Sequence, residues 1–187
     1  DDYIDYLKSS NIDMSASSQD SLFYKAAEER YFNADYNAAI SAFSSYLNKF
    51  TNGYFVDEAN YYTADCYYKS KDLIGALKYY ELIADKSNSP FFERSLKRCA
   101  TISYLTSKDY VKSEKYYGML YKLNKGRDDA FAYLMNALRS SYLAKNDEAL
   151  LAYSTDVIQN TNATKVDVLE ARYYKAGVLL DKNDYDN

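Results

Sequence analysis

The side chains that most often do chemistry in proteins are scarce in this sequence. It contains no His, so it lacks the commonest general base and the commonest metal ligand. Cys66 and Cys99 are its two thiols, and both fall inside predicted helices among apolar residues. That setting favours two buried free thiols, with a disulfide bridge as the alternative. Gly-rich phosphate-binding motifs are absent as well. We therefore predict no catalytic residue, no cofactor and no enzyme activity.

Carboxylates are abundant, with 27 Asp and Glu against 23 Lys and Arg and a net charge of −4. No pair of them stands out, so we interpret them as solvated helix faces and helix caps rather than acid–base catalysts. The segment 181–187 opens like a calcium-binding loop, but Tyr185 stands where an oxygen ligand belongs and the loop Gly is missing. We predict no metal site there.

Charge and hydropathy argue against two classes of partner. Lys and Arg are scattered, so the chain lacks the continuous positive track that nucleic acid phosphates require. Its longest apolar run falls far short of the ~18 residues that cross a bilayer. We expect neither nucleic acid binding nor a membrane span.

Tyr is the unusual residue, with 24 copies beside no Trp at all. Its large apolar ring and polar tip suit surfaces that are half exposed. Gly and Pro number only 5 and 1, and because β-rich folds use both at their many turns, this scarcity favours long helices. The elements that position the tyrosines are therefore expected to be helices.

A repeated pattern organises these helices. A small residue follows each predicted turn, and an aromatic residue follows it four positions later. The small residues recur at intervals of 37, 37 and 36 residues, which coincidence does not explain. These residues are Ala39, Ala76, Ser113 and Ala149, and their aromatic partners are Phe43, Tyr80, Tyr117 and Tyr153.

Each unit is predicted to be a pair of helices, A and B, that cannot bury its apolar stripe alone, so neighbouring pairs must stack. The fourth turn reads as one residue shorter, which leaves the register of helix A in that unit open by one residue. We expect about ten helices after residue 20, or nine if the fifth unit stays incomplete. Residues 1–19 are predicted to be a short helix and a Ser-, Asn- and Asp-rich loop, or the end of a preceding repeat. The array covers 20–187, with units at about 20–53, 57–90, 94–127, 129–160 and an incomplete fifth at 169–187.

Two stretches of the array match a known helix-pair motif in order. The first unit and the incomplete fifth unit carry its small and aromatic positions. The matching residues are Phe23, Ala27, Tyr31, Ala39, Phe43 and Tyr46 in the first, and Ala176, Leu179, Leu180, Asp184 and Tyr185 in the fifth.

This pattern resembles the tetratricopeptide repeat (TPR) family, which implies an all-α fold, a right-handed α–α superhelix of stacked helix pairs. The usual Trp of the motif is replaced by Phe23, Asn60 or Arg172, and the Pro that ends helix B appears only as Pro90. The spacing also exceeds the ~34 residues typical of the family. These departures bear on the pitch of the superhelix more than on the helix pairs.

The resemblance also implies a binding surface. In TPR proteins the second, fifth, ninth and twelfth residues of each unit line a concave groove that holds a peptide or protein segment. Rigid aromatic rings and carboxylates suit an extended peptide, because they offer contact area and accept Lys, Arg or backbone N–H groups. The alternative is that these tyrosines pack against the next helix A. The candidate residues are Tyr24, Glu28, Tyr31, Glu58, Tyr61, Asp65, Tyr68, Arg98, Ile102, Leu105, Tyr173 and Leu180.

The function that the resemblance implies is a non-catalytic scaffold for protein–protein interaction, as part of a longer repeat array. The alternatives are a structural spacer without a ligand and a docking or regulatory segment of a larger enzyme. The connection 46–55 is similar to repeat junctions of bacterial cell-envelope TPR proteins, such as outer-membrane lipoproteins and division coordinators, with Thr51 where those have Pro. This similarity favours the bacterial cell envelope or periplasm over the cytoplasm.

Overall fold

The computed structural model describes the backbone of residues 16–181 and the side chains of residues 18–181. Within that part of the chain, nine α-helices follow one another and no strand occurs. A π-helical turn, Ser103–Ser107, continues the fifth helix. The helices are α1 Ala16–Phe32, α2 Tyr36–Lys49, α3 Val56–Lys69, α4 Leu73–Ala84, α5 Phe92–Ile102, α6 Tyr110–Leu123, α7 Ala130–Ala144, α8 Asp147–Gln159 and α9 Lys165–Asp181.

The predicted all-α fold class of stacked helix pairs is confirmed within the described residues. The odd-numbered helices are the predicted A helices and the even-numbered helices are the B helices, and α9 stands for the incomplete fifth unit. The chain divides into two compact units, each larger than one helix pair. The first unit ends at Asp72 and the second unit begins at Leu73, and the individual helix pairs are called repeats.

The start of α1 differs from the sequence prediction. Residues 16–19, the last four of the loop expected over residues 8–19, are already helical. Asp20 accepts hydrogen bonds from the Tyr46 hydroxyl (2.6 Å) and from the Tyr54 backbone N–H (2.8 Å). These tertiary contacts outweigh the weak helix propensity of the Ser-rich stretch before it. The short helix expected near residues 1–7 lies outside the described residues.

The turns between helices A and B set the repeat length. Ala34, Lys71, Lys108 and Lys145 all adopt positive φ, between 53° and 68°, and they lie 37 residues apart each time. At the first of these turns the Asp35 N–H binds the Arg30 carbonyl (3.0 Å), a Schellman-type helix ending that needs a left-handed residue. The repeat is therefore 37 residues at every turn in the described chain.

This period corrects the sequence alignment of the fourth unit. The interval of 36 residues and the shorter turn were wrong, because the position equivalent to Ala39 and Ala76 is Leu150 rather than Ala149. Leu150 is 2% exposed. The cap of α8 is Asn146, whose side chain accepts from the Ala149 N–H (3.2 Å), just as Asp109 caps α6.

The first unit packs α1, α2 and α3 around a core rich in aromatic rings. Phe43 and Tyr46 of α2 are fully buried, and Tyr24 of α1 lies against both rings. Ala39 is fully buried beside them, so the small residue predicted at the turn does lie in the core. Because the rings fill the space between helices, the first unit does not depend on long aliphatic side chains.

The second unit packs α4 to α9 in sequence order, each helix against the next. Leu134 and Leu138 of α7 and Val157 of α8 are fully buried there. The last helix, α9, contributes Ala171 and Val178 to the same core. A single face of α9 is thus anchored in this unit.

Non-Gly residues in left-handed backbone cost roughly 1 kcal/mol or more. We expect Lys145→Gly to raise the free energy of unfolding by roughly 0.5–1 kcal/mol. Gly relieves the backbone strain of the folded state, and the larger conformational entropy of Gly in the unfolded state offsets part of this gain. Lys78→Gly, in the exposed middle of α4, is the matched control and should lower it by about 1 kcal/mol. Urea denaturation measures both. Equal losses for the two variants would contradict the turn geometry.

Candidate protein-binding surface

Three positions on the A helices recur with the 37-residue period. The first, second and third positions fall in successive turns of each helix, and they include most of the residues predicted to line a groove. The first position holds Tyr24, Tyr61, Arg98, Met135 and Arg172; the second holds Glu28, Asp65, Ile102, Arg139 and Ala176; the third holds Tyr31, Tyr68, Leu105, Tyr142 and Leu179.

The period moves two of the predicted site residues. In α7 the buried residues Leu134 and Ser141 are followed 37 residues later by the buried Ala171 and Val178. The fifth unit therefore continues in the same register, and the positions assigned to Tyr173 and Leu180 belong to their neighbours Arg172 and Leu179. The error came from the start of the fifth unit, which was placed at residue 169, whereas the 37-residue period places it at 168.

Tyr24 is a core residue, although the sequence suggested a groove residue. Its ring is 5% exposed and stacks on Phe55 at 4.3 Å. Its hydroxyl donates to the Glu28 carboxylate (2.9 Å). Burial is the main reason that the pKa of Tyr24 lies well above its ordinary value, and the neighbouring Glu28 adds to it. A partner cannot reach this ring, so Tyr24 is removed from the candidate surface.

Tyr31 and Asp65 link the first two A helices, α1 and α3. The Tyr31 hydroxyl donates to the Asp65 carboxylate (2.7 Å), and its ring lies 4.7 Å from that of Tyr62. Asp65 is 8% exposed and also lies 3.7 Å from the Lys69 ammonium. Burial, followed by the bond to Asp65, raises the pKa of Tyr31. Asp65 is thus a structural partner of Tyr31, and not an open acceptor for a ligand.

Four other predicted residues of the first unit remain at its surface. Glu28, Glu58, Tyr61 and Tyr68 are all half-buried. The Tyr61 ring packs edge-on against Tyr62, with ring centres 5.7 Å apart. These side chains can gain contact area from a partner without leaving the core.

In the second unit the third position is the accessible one. Ile102, at the second position, is 2% exposed and belongs to the interior, so it too is removed from the candidate surface. Arg98 is half-buried, whereas Leu105 is 67% exposed in the π-helical turn after α5. Tyr142 is 44% exposed near the end of α7.

Tyr142 was missed by the sequence prediction. It follows Leu105 by 37 residues, as Leu105 follows Tyr68 and Tyr68 follows Tyr31. The 37-residue spacing of the left-handed turns identifies Tyr142. The sequence alone did not, because it left the register of helix A in the fourth repeat open by one residue. Its ring stacks on Tyr174 of α9 with centres 4.2 Å apart, so one ring face is fixed while its edge stays accessible.

An ion pair joins α7 to α9 beside this ring. The Arg139 guanidinium donates two hydrogen bonds to the Glu170 carboxylate, at 2.7 and 2.8 Å, and Tyr174 donates a third at 3.1 Å. The bond from Arg139 is the main reason that the pKa of Glu170 is lowered. Burial raises the pKa of Tyr174 to about 12. This network holds Tyr142 and Tyr174 in place, since planar paired bonds fix orientation.

Tyrosine–carboxylate bonds also tie the B helices of the second unit to one another. Tyr116 binds Glu81 (3.1 Å), Tyr121 binds Asp156 (3.1 Å) and Tyr153 binds Glu114 (2.9 Å). The residues in these pairs lie 35 to 39 positions apart, which is about one repeat. Gly118 leaves the room that Tyr153 needs, because an added Cβ there would overlap the Tyr153 hydroxyl.

The two thiols and the carboxylates offer little chemistry. Cys66 and Cys99 are each buried and free, as predicted. Burial is the main reason that the pKa of Cys66 rises to about 12, which keeps it a neutral thiol. Across residues 18–181 no three His, Cys, Asp or Glu side chains come together as a metal site. Within the described helices none is long and apolar enough to cross a membrane.

Comparison with known proteins gives structural matches only. No protein-family model matches the sequence, and no curated protein matches it. Two crystal structures of a Podosopora anserina kinesin light chain-like protein with nearly identical TPR-like repeats, one of them a point variant, align with this chain at 10% and 11% identity and a TM-score of 0.48. The alignments cover 92% of this chain and 91% and 90% of theirs.

The bond between Tyr31 and Asp65 should matter for stability. Tyr31→Phe removes a hydrogen bond from a buried carboxylate, and we expect a loss of about 1–3 kcal/mol in the free energy of unfolding. A double-mutant cycle with Asp65→Asn should give a coupling of about 1 kcal/mol. Tyr54→Phe, at an 85% exposed side chain, is the control. If the stability losses of the two single variants add up to that of the double variant, the link between Tyr31 and Asp65 is ruled out.

Alkaline pH should unfold the protein before its linking tyrosines ionise. An unfolded Tyr loses its proton near pH ~10, whereas burial and the carboxylates keep Tyr31, Tyr116 and Tyr153 protonated at higher pH. Stability is therefore complete below about pH 10 and falls as pH rises further, since the unfolded state binds fewer protons. Urea midpoints measured from pH 8 to 11 should fall above 10, and less steeply in Tyr153→Phe. A urea midpoint that does not change between pH 8 and 11 would contradict the raised pKa values of these tyrosines.

Proposed function

We propose that this chain is a non-catalytic, TPR-like scaffold that holds another polypeptide along the third position of its A helices. The observation that carries the proposal is the character of that position. It holds a large apolar or aromatic residue in all five repeats, and none of the five is fully buried. A stacked fold needs buried residues at its core, but it does not need large accessible ones at a fixed repeat position.

The energetics of the accessible side chains support a protein partner. Leu105 and Tyr142 expose much of their apolar surface, and covering such surface is worth about 25 cal/mol per Å². The Tyr142 ring is already held by its stack on Tyr174, so a partner pays little entropy to order it. Aromatic residues of this kind are the usual anchors of interfaces.

The first unit adds charge to the proposed partner chemistry. Glu28 and Glu58 are half-buried near Tyr24, whose pKa both carboxylates help to raise. Partly desolvated carboxylates favour Lys, Arg or backbone N–H groups. The chemistry proposed for a partner is therefore positive or N–H-rich at the first unit, and apolar at the third position of the second unit. A cell-envelope location stays a prediction of the junction at residues 46–55.

Site-directed photo-crosslinking tests the proposal in cells of the source organism. A photoreactive amino acid at Leu105 or Tyr142 should capture one discrete partner. The same amino acid at Val111, which is 65% exposed on helix B of the same unit, is the matched control and should not. Once the partner is identified, Tyr142→Ala should weaken its binding by about 10-fold or more, and Val111→Ala should leave it unchanged.

Melting temperatures of the variants are needed beside the binding data. If Tyr142→Ala stays folded and binds the captured partner with unchanged affinity, the third position is not the binding surface. Equal capture from position 111 would point to the B-helix face instead.

A further inference from the structure

A polar cavity lies within the second unit, between the connection from α6 to α7 and the connection from α8 to α9. Its volume is about 470 Å³, which falls within the roughly 300–1,000 Å³ of small-molecule pockets. Both connections join a helix B to the next helix A, whereas the left-handed turns join helix A to helix B. The cavity is therefore at the opposite helix ends from the third position of the A helices.

Two aromatic rings form the apolar part of the cavity wall. Tyr121 of α6 and Phe131 of α7 line the cavity and also pack against the core of the second unit. The Tyr121 hydroxyl donates to the Asp156 carboxylate (3.1 Å). Rings that packing already holds in place offer a flat apolar surface to a ligand at little further cost in entropy.

Two cations stand beside these rings on the connection from α6 to α7. The Lys125 ammonium lies 5.3 Å from the centre of the Tyr121 ring, and no carboxylate of the described residues forms an ion pair with it. The Arg127 guanidinium donates to the side-chain oxygen of the fully buried Asn124 (2.9 Å), which fixes its direction. It also lies 3.5 Å from Glu93, yet its side chain stays 62% exposed. Both cations can bind the oxygens of a phosphate or a carboxylate.

The remaining polar groups of the lining suit hydroxyl groups. Gln159, Asn160 and Asn162 bring three amides, each of which both donates and accepts, and Thr161 brings a hydroxyl. The Asn160 side-chain oxygen accepts from the Asn162 N–H (2.9 Å), which holds this connection in shape. Asp128 adds one carboxylate, which accepts hydrogen bonds and repels a bare anion. The lining therefore favours a ligand that carries O–H groups as well as negative charge.

We propose that this cavity binds a small sugar that carries an anionic group, either a phosphate or a carboxylate. Lys125 and Arg127 bind the anionic group, Asp128 and the amides accept and donate to the hydroxyls, and the Tyr121 and Phe131 rings cover the C–H face of the sugar. Much of the lining is exposed, so the affinity should be modest, with a dissociation constant of about 0.1–10 mM. This site does not depend on the proposed function, which uses Leu105 and Tyr142.

An NMR titration of the 187-residue chain tests the proposal, with glucose 6-phosphate and glucuronate as probes. Glucose, inorganic phosphate and serine are the controls, because each of them offers only part of the proposed chemistry. At least one anionic sugar should shift the amide signals of 125–128 and 159–162, and it should bind about 5-fold or more tightly than every control. The tighter of the two probes identifies the anionic group. No shift in these signals at about 20 mM of either probe, or equally tight binding of a control, overturns the proposal.

A pair of Lys variants tests the part played by charge. Lys125→Gln should stay folded, since Lys125 contacts only the Tyr121 ring among the described residues, and it should weaken binding of the tighter probe about 5-fold. Lys122→Gln is the matched control, because Lys122 is an exposed lysine of α6 that does not line the cavity. It should leave the affinity unchanged. Equal affinities of the two variants would overturn the proposal, while crosslinking at positions 105 and 142 would still report on the proposed function.

Discussion

The fold depends on a bond between the tip of a tyrosine in one helix pair and a carboxylate about one repeat away. A helix pair this short cannot bury its own apolar stripe, so pairs must stack, and stacking alone leaves the register between them loose. Tyr31 with Asp65, and Tyr153 with Glu114, fix that register because the ring packs in the interface while the hydroxyl reaches a charged acceptor. Tyr suits this double role because it combines an apolar ring with a polar tip, and Tyr116 and Tyr121 have the same role.

The left-handed turns keep the constant spacing on which these bonds depend. Each turn reverses the chain with one residue at positive φ, and an Asp or Asn side chain caps the next helix after Ala34, Lys108 and Lys145. Lys takes this place at three turns, where Gly would be less strained. The backbone strain of a non-Gly residue at positive φ is confined to each turn. The constant spacing that the turns set brings each of these tyrosines to its acceptor. The recurrence of large, incompletely buried residues at the third position follows from the same spacing.

The sequence predicted the all-α fold class and the helix pairs, because periodic apolar residues and scarce Gly and Pro dictate them locally. Register in the last two units could not be read in the same way. Ala149 is the residue of expected type, yet Leu150 occupies the buried place, because the turn and its Asn146 cap decide the register. The fate of Tyr24 and Ile102 was likewise hidden, since burial of one helix A residue depends on which neighbour packs over it. The repeat position of a residue can thus be read from the sequence spacing, whereas its exposure depends on tertiary packing.

Insertion of one Ala between Lys145 and Asn146 tests the 37-residue register most directly. It lengthens the fourth turn by one residue, which moves Ala149 into the place of Leu150 and Tyr153 away from Glu114. Our account predicts that the free energy of unfolding of this variant falls by about 3 kcal/mol or more, since a buried Leu and a buried hydrogen bond are both lost. Stability within about 0.5 kcal/mol of the parent protein would contradict it, because the turn would then not set the register.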